Sequence, residues 1–171
     1  MPNRWFVTHV WSVKCTCLSS LDMKLTVEKL DINDLLVVSQ LIEQSFDESV
    51  APTLNDEGIE TFKKGLSVES LEKRFNSDNL FMICRNEKEI IGVGEIRDKN
   101  HLNLLFVETR LQKKGIGGKI LNELICQIEE NEVTVNSSLN AVGAYEKLGF
   151  DKIGLPSEVN GIKYQPMIYK K

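Results

Sequence analysis

The sequence predicts an α/β (α+β) fold in which helices cover a mixed, mostly antiparallel and twisted sheet. The predicted elements follow the order βααα-βββ-αβαββ, with a long hairpin near the centre and a strand, a glycine-rich loop and a helix after it. Because strands and helices are interspersed along one chain, layers of helix on sheet are the expected architecture. The chain has 171 residues, 42% of them apolar, which suits one domain with an ordinary hydrophobic core.

The first half of the domain is predicted as one strand followed by three helices. Leu25–Leu30 alternates apolar and polar residues as a strand does, and an apolar stripe over 35–46 has the period of a helix capped by Asp31 or Asn33. Residues 47–58 contain proline and glycine without a period, which predicts a loop. Two short helices are predicted next, at Ile59–Lys64 and Val68–Phe75.

The second half is predicted as a hairpin followed by alternating strands and helices. Leu80–Arg85 and Glu89–Arg97 form the hairpin, which turns at residues 86–88. The remaining predicted elements are a strand at His101–Val107, a helix at 116–130, a strand at Glu132–Asn136, a helix at Leu139–Leu148 and a terminal strand pair at Asp151–Leu155 and Ile162–Tyr169.

Residues 1–22 differ from the rest of the chain, since they contain both tryptophans and two of the four cysteines. His9 and Lys14 interrupt the apolar stretch, so the segment is a poor signal peptide. Met23 opens a segment with the pattern of a first strand and helix, which predicts a domain over residues 23–171. The preceding residues are then either an over-called start or an N-terminal arm, which is disordered, packs on the domain or pairs two copies in a homodimer.

Charge and cysteine content exclude several classes of protein. A net charge of −4 argues against nucleic acid as a partner, and no apolar run has the length of a membrane helix. The cysteines show neither a C-x-x-C pair nor a framework spacing, and only two histidines accompany them, so we expect no metal site. These features predict a cytoplasmic protein with free thiols. The four cysteines are Cys15, Cys17, Cys84 and Cys126.

The glycine-rich run QKKGIGGK, at residues 112–119, lies between an apolar strand and an amphipathic helix. Gly115, Gly117 and Gly118 allow positive-φ turns and a close approach of the backbone to a ligand. The helix that follows directs its free N–H groups and its positive dipole end at the loop, which suits a phosphate or pyrophosphate. Three lysines add positive charge: Lys113, Lys114 and Lys119.

Two common phosphate-binding motifs do not match this run. A P-loop requires G-x-x-x-x-G-K-[ST], but Ile120 follows Lys119, and Lys113 stands where the first glycine belongs. In the dinucleotide fingerprint G-x-G-x-x-G, Gly115 and Gly117 fit the first two positions, but Ile120 occupies the third. The remaining pattern is Q-x-x-G-x-G.

A second motif, A-x-x-x-Y-E-K-L-G-F, closes the segment VNSSLNAVGAYEKLGF at residues 135–150. In this order and at this separation, the two motifs resemble the GCN5-related N-acetyltransferase (GNAT) superfamily, from about Lys24 to the C-terminus. The closing NGIKYQPMIYK is similar to a bacterial subgroup of unknown acceptor. The resemblance implies the layered fold, and transfer of an acetyl group from acetyl-CoA to an amine without a metal.

The resemblance also implies roles for individual residues around acetyl-CoA. Gln112, Gly115 and Gly117 are implied in binding the pyrophosphate, and backbone N–H groups of Phe106, Val107 and their neighbours, on a bulged strand, in polarising the thioester carbonyl. The LLFV segment is equally well read as core strand.

Tyr145 is implied near the sulfur, as the general acid. A phenol of pKa about 10 can protonate a thiolate whose conjugate acid has a pKa near 8.5 if the two are close. The alternative is a half-buried aromatic residue whose hydroxyl lies in water.

The pantetheine contact remains unassigned. In many relatives an asparagine seven residues before the tyrosine makes it, but here that position is Ser138. Asn140 and Asn136 lie two residues to either side and are further candidates. Alternatively, Ser137 or Ser138 is only the N-cap of the next helix.

Two residues are candidates for the general base that takes the proton of the acceptor amine. Glu95 is the first, because strand alternation places it on the face of Ile91 and Val93, where apolar surroundings would make a carboxylate a stronger base. Alternatively, Glu95 faces solvent or pairs with Arg97. His101, at the start of the following strand, is the second candidate.

The acidic region at residues 46–75 slightly favours a cationic amine as acceptor, although such charges are also typical of a solvated surface. Its acidic residues are Asp47, Glu48, Asp56, Glu57 and Glu60. Two other functions are compatible with the sequence, a non-catalytic acyl-CoA-binding sensor on the same fold and a nucleotide-binding regulatory domain.

Overall fold

The computed structural model describes residues 24–171, so the segment at 1–22 lies outside the described residues. The strands of the described part are β1 (Leu25–Lys29), β2 (Leu80–Asn86), β3 (Glu89–Arg97), β4 (His101–Val107), β5 (Glu132–Ser138), β6 (Asp151–Lys152), β7 (Ser157–Val159) and β8 (Ile162–Lys170). Its helices are α1 (Leu35–Ser49), α2 (Asp56–Lys64), α3 (Val68–Phe75), α4 (Ile116–Gln127) and α5 (Val142–Lys147).

These strands form one sheet in the order β1-β2-β3-β4-β5-β8-β6, with β7 also paired to β8. Every neighbouring pair is antiparallel except β4 and β5, which are parallel. Helices cover both faces of the sheet. The predicted α/β (α+β) layered fold is confirmed.

The sheet separates two hydrophobic cores, here called the α4 face and the α1 face. The α4 face is buried by α4 and α5, because side chains of both helices pack on the same core of the sheet. Its buried residues include Met82, Ile91, Leu102, Ile120, Leu124 and Phe150. The α1 face is buried by α1 and α3. Its buried residues include Val38, Ile42, Phe46, Leu71, Ile83 and Val93.

The predicted loop at residues 47–58 is mostly helical. Helix α1 continues to Ser49, a 3-10 turn occupies Ala51–Thr53, and α2 begins at Asp56. The prediction was wrong because Asn55 is an N-cap whose side chain accepts the Gly58 N–H at 2.8 Å. The cap places Gly58 inside the helix, although glycine is more typical of a loop.

Several boundaries in the C-terminal half differ from the prediction, since α5 spans Val142–Lys147 rather than Leu139–Leu148 and β6 is only Asp151–Lys152 rather than Asp151–Leu155. Helix α4 ends at Gln127 rather than at Glu130, and β5 continues to Ser138. The predicted terminal strand pair also contains β7, a short strand with all three residues exposed. An exposed strand of this length has no apolar alternation to reveal it.

A backbone contact joins the start of α2 to the turn between β7 and β8. Gly161 has a φ of +77°, and a Cβ at this position would lie 2.5 Å from the Gly58 nitrogen and 2.5 Å from Asn55 Oδ1. No side chain fits there. The contact therefore fixes the N-terminus of α2 against the C-terminal hairpin.

Gly161→Ala is expected to lower the free energy of unfolding by about 3 kcal/mol, since a left-handed residue with a Cβ and an overpacked contact each cost about 1–2 kcal/mol. For a domain of this size the melting temperature should fall by roughly 6–12 °C. Gly154→Ala is the matched control, because Gly154 has a φ of +68° but nothing lies within 4 Å of the position that its Cβ would take. Equal melting temperatures for the two variants would contradict the importance of the contact.

β4 and β5 are hydrogen-bonded only where they begin. Pairing joins His101 to Thr134 and Leu102 to Val135, and the described sheet has no further pair between these strands. β5 instead continues along β8 as far as Ser138. The C-terminal halves of β4 and β5 therefore diverge and leave a V-shaped opening within the sheet, here called the gap. The glycine-rich loop follows β4 at the open end of the gap.

A β-bulge lies at the closed end of the gap. Glu95 stands opposite Leu104 and Ile96 stands opposite Leu102, so Asn103 is an extra residue on β4. Consequently Leu104 packs on the α1 face although Leu102 packs on the α4 face. The bulge thus changes which face of the sheet each following side chain of β4 occupies, just where the strand leaves β5.

Candidate active site

The edge of β4 that faces the gap presents the N–H groups of Leu105 and Val107. The Glu108 N–H donates to the Ile91 carbonyl on β3 at 2.9 Å, and alternate residues of a strand direct their N–H groups to the same edge. Phe106 therefore directs its N–H to β3 rather than to the gap. Of the two predicted carbonyl donors, only Val107 faces the gap, and Leu105 joins it. Strand alternation was the signal in the sequence that could have identified Leu105.

The glycine-rich loop presents a row of free N–H groups at the open end of the gap. Among the described residues, no backbone acceptor bonds the N–H groups of residues 115–118, and no side chain caps α4. Lys113 and Gly115 adopt left-handed backbone, with φ of 61° and 83°. Gly117 and Gly118 lie in the first turn of α4 and have no positive φ, so that part of the prediction was wrong. The helix N-terminus and its free donors can hold an anion.

The two helical glycines are needed for different reasons. A Cβ on Gly118 would lie 3.2 Å from Leu148 Cδ2, so this glycine lets α4 and α5 pack closely. A Cβ on Gly117 would lie 3.8 Å from Val107 Cγ2 and 3.9 Å from Leu105 Cδ2, which are ordinary contact distances. Packing in the free protein therefore does not require glycine at 117, although glycine in a helix costs about 1 kcal/mol relative to alanine. The predicted approach of a ligand to the Gly117 backbone stays a prediction.

The three lysines of the loop add positive charge around these donors. Lys113, Lys114 and Lys119 are all exposed, so their ammonium groups are available to a ligand in solvent. Arg110, just before them, pairs instead with the Glu108 carboxylate. The open end of the gap is therefore locally cationic in a protein of net charge −4.

Ser49, at the end of α1, contacts both the glycine-rich loop and the segment between β5 and α5 at the open end of the gap. The Gln112 amide donates to the Val107 carbonyl at 3.2 Å and lies 3.5 Å from the Ser49 hydroxyl. Asn140 donates to the Ser49 carbonyl at 2.5 Å. The structure therefore brings Gln112 and Asn140 to the same place, but both side chains are engaged with protein. Their predicted contacts with a ligand stay predictions.

Ser138 ends β5 on the other side of the gap, where it pairs with Tyr164 of β8. Ser137 is buried and its hydroxyl donates to the Ser138 carbonyl at 2.9 Å. The N-cap of α5 is Ala141, which makes no side-chain capping bond. The alternative that Ser137 or Ser138 caps this helix is therefore wrong.

Tyr145 lies on α5 and packs on the core of the α4 face. Its ring meets that of Phe150 edge to face, with centroids 5.4 Å apart. Burial raises the pKa of Tyr145 above its ordinary value near 10, so the phenol stays protonated throughout the neutral range. The raised pKa keeps the hydroxyl protonated near pH 7 and also makes it a weaker proton donor than an ordinary phenol.

The Glu95 carboxylate is fully enclosed, with 0% of its side chain exposed. Asn79 donates to Oε1 at 2.7 Å, and Asn103 donates to Oε2 at 2.9 Å. Arg74 Nε lies 3.0 Å from Oε1. Both carboxylate oxygens are thus occupied by donors from the protein.

This environment differs from each alternative predicted for Glu95. Ile91 packs on the α4 face and Val93 on the α1 face, because the pairing register of β3 with β2 shifts between them. Glu95 is on the α1 face, in polar surroundings rather than an apolar wall, and it does not face solvent. Arg97 pairs with Asp98 at 2.6 Å instead. The role of Glu95 as a base stays a prediction.

His101 lies at the closed end of the gap, where β4 and β5 are still paired. Its Nδ1 is 2.9 Å from the Thr134 hydroxyl. Burial, and next the Arg97 charge, lower the pKa of His101 below its usual value, against a smaller opposite effect of Asp98. The ring is therefore neutral at pH 7. Val107 is six positions further along the strand, or about 20 Å away at 3.3 Å per residue.

The described residues form neither a metal site nor a membrane-spanning helix. Residues 24–171 contain no group of three or more His, Cys, Asp or Glu side chains placed to hold a metal ion. None of the helices in the same range has both the length and the apolar character that crossing a bilayer requires.

Sequence comparison identifies the family. The family model of the acetyltransferase (GNAT) domain matches residues 50–171, which is well over half of the chain. The chain therefore belongs to the GNAT acetyltransferase family, and the predicted resemblance is confirmed. Family membership establishes acetyl transfer as the general activity.

Solved structures with low sequence identity share the fold. The PaiA N-acetyltransferase of Thermoplasma acidophilum, in complex with coenzyme A, is 24% identical with a TM-score of 0.70, over 87% of this chain and 100% of that one. YjaB of Escherichia coli, in its apo form, is 19% identical with a TM-score of 0.69, over 86% and 98%. YncA of Salmonella typhimurium, with its cofactor acetyl-CoA, is 17% identical with a TM-score of 0.63, over 85% and 93%.

Proposed function

We propose that this protein transfers an acetyl group from acetyl-CoA to a primary amine by direct attack in a ternary complex. The observation that carries the proposal is the gap between β4 and β5, with the free N–H groups of residues 115–118 at its open end. An extended donor fits this arrangement with its pyrophosphate at the helix N-terminus and its thioester inside the sheet. The complexes of PaiA with coenzyme A and of YncA with acetyl-CoA support this choice of donor.

The proposed reaction assigns one task to each part of the gap. The N–H groups of Leu105 and Val107 stabilise the oxygen of the thioester carbonyl as it becomes negative. The amine lone pair forms the new C–N bond, and the C–S bond then breaks with its electron pair on sulfur. The Tyr145 hydroxyl protonates the leaving thiolate, and the proton that the nitrogen releases after the attack restores the hydroxyl, so the neutral amine loses one proton and sulfur gains one.

The acceptor amine must lose its own proton before it attacks. An alkylammonium with a pKa near 10.4 is neutral in only about 1 of 2,500 molecules at pH 7. Glu95 already accepts a hydrogen bond at each oxygen, and His101 lies at the closed end of the gap, six strand positions before Val107. We therefore propose that this proton leaves through water in the gap.

The nature of the acceptor is less constrained. Several acidic side chains of residues 46–75 are exposed and paired locally, as in the Asp47–Lys63 and Glu60–Lys64 ion pairs. Because these acidic side chains are negatively charged, we expect them to favour modestly a cationic acceptor such as a polyamine, an amino sugar or a protein amine. We further propose that the reaction takes place in the cytoplasm.

A non-catalytic acyl-CoA-binding sensor is the second candidate function. The enclosure of Glu95 favours it, because a sensor needs no base. The donor site would be the same in both cases.

A panel of amines tests the proposed function. The protein is incubated with acetyl-CoA and, in turn, a polyamine, an amino sugar and a peptide with a free N-terminus, and free thiol is measured. Thiol release that requires both protein and amine is the expected result. A large thermal shift with acetyl-CoA but no thiol release with any amine would favour the sensor. Displacement of CoA by ATP would instead favour a nucleotide-binding domain.

A further inference from the structure

The Glu95 carboxylate joins four separate segments at the closed end of the gap. Asn103 is on β4, Asn79 precedes β2, and Arg74 is on α3. Arg74 also donates to the Gly65 carbonyl at the end of α2, at 2.8 Å. The guanidinium lies beside the buried charge without a hydrogen bond from its Nε, and each carboxylate oxygen accepts one amide N–H. A buried carboxylate with this set of partners ties the segments that contribute them together.

The contact with Asn103 has a particular consequence for β4. Asn103 is the bulged residue, and every residue beyond it is shifted by one position relative to β3. Without the extra residue, the side chains of Leu105 and Val107 would lie on the opposite face of the sheet. Their N–H groups would then point to β3 instead of the gap. The Glu95 side chain bonds the residue at which the register changes, so it is placed to stabilise the bulge that directs these N–H groups to the gap.

We propose that Glu95 is a positioning residue, which holds the Asn103 bulge and thereby aims the N–H groups of Leu105 and Val107 at the thioester carbonyl. This inference rests on the proposed function. Glu95 acts through Asn103, and the Arg74 guanidinium beside it helps to hold the carboxylate in place. Proton removal from the amine does not involve Glu95.

Four variants distinguish positioning from base catalysis: Asn103→Ala, Glu95→Gln, Arg74→Met and the double variant Glu95→Gln/Arg74→Met. Asn103→Ala releases the bulge but keeps the carboxylate. The double variant removes both buried charges but keeps an amide that can bond Asn79 and Asn103. Arg85→Met is the matched control, since Arg85 is 22% exposed against 23% for Arg74 and also pairs with carboxylates, on β2 away from the gap.

Each variant is measured for kcat, for KM of acetyl-CoA and for the pH profile of kcat/KM. Asn103→Ala should lower kcat by about 10- to 100-fold, the usual effect of misplacing reacting groups by about 1 Å, with KM within about threefold. The double variant should recover at least about tenfold of the kcat lost in Arg74→Met, because activity follows the geometry and not the carboxylate. The pH profile should keep its shape in all variants, and Arg85→Met should keep its kcat.

The opposite pattern would overturn the proposal. If Glu95 is the base, Glu95→Gln and the double variant lose kcat equally and the acidic limb of the pH profile disappears, while Asn103→Ala stays within about threefold of the parent. Should Arg74→Met fail to fold, Asn103→Ala and Glu95→Gln still decide between these patterns.

A second measurement does not depend on turnover. Acetyl-CoA should slow amide exchange at Leu105 and Val107 in the parent protein, as observed by NMR, and should fail to do so in Asn103→Ala. Retained protection in Asn103→Ala would contradict the positioning role. A parent protein that acetylates no amine but shows this protection would refute the proposed function and leave the positioning role supported.

Discussion

Tyr145→Phe is expected to lower turnover by about 100-fold or more, the usual scale for a general acid. The substitution keeps the ring and its edge-to-face contact with Phe150 but removes the hydroxyl. Affinity for acetyl-CoA should change little, because the free N–H groups of the loop lie elsewhere. The rate is measured with an acceptor from the amine panel, and donor binding by calorimetry.

The pH dependence provides a second check on Tyr145. Burial raises the pKa of the phenol above its ordinary value near 10, so it is protonated at both pH 7 and pH 9. The rate of the parent should rise over this range as more of the amine becomes neutral, and Tyr145→Phe should lose the same factor at both values. If Tyr145→Phe is nearly as active as the parent, the thiolate leaves unprotonated or takes its proton from water.

Gly117→Val is expected to abolish the stabilisation of the protein by acetyl-CoA. At a concentration 100 times its Kd, the ligand should stabilise the parent by about 2.7 kcal/mol, or roughly 5–10 °C in melting temperature. A branched side chain at 117 would occupy the space beside Leu105 and Val107 into which the donor must fit. Thermal melts with and without acetyl-CoA measure the loss.

Gly143→Val is the matched control for this variant. Gly143 and Gly117 are both the second residue of their helices, and nothing lies within 4 Å of a Cβ on Gly143. The change in helix propensity should affect the stability of Gly143→Val and Gly117→Val equally. Gly143→Val should, however, keep the rise in melting temperature with acetyl-CoA. A folded Gly117→Val protein with an unchanged shift would refute the assignment of the loop.

The features predicted best from the sequence are those that depend on residues adjacent in the chain. The strand, glycine loop and helix around Gly115 follow from residues adjacent in the chain, and the element order led directly to the layered fold. A helix was also predicted around Tyr145, although it begins at Val142 rather than at Leu139.

Contacts between distant segments were not predictable in the same way. Alternation on β3 placed Glu95 with Ile91, but a shift in pairing with β2 put them on opposite faces. Arg74 is 21 residues away from Glu95 in the chain, so nothing local revealed their ion pair. Likewise, the Asn103 bulge exists only in the pairing of β4 with β3.

The contact between Gly58 and Gly161 also has a consequence for how the chain folds. Helix α2 has only nine residues, too few for a stable helix on its own, and its first turn rests on a hairpin about 100 residues further along the chain. Its formation must wait until a long loop has closed, so α2 should be among the last elements to fold. The same dependence makes it among the first to open in the native protein, and amide exchange there should be faster than in the sheet.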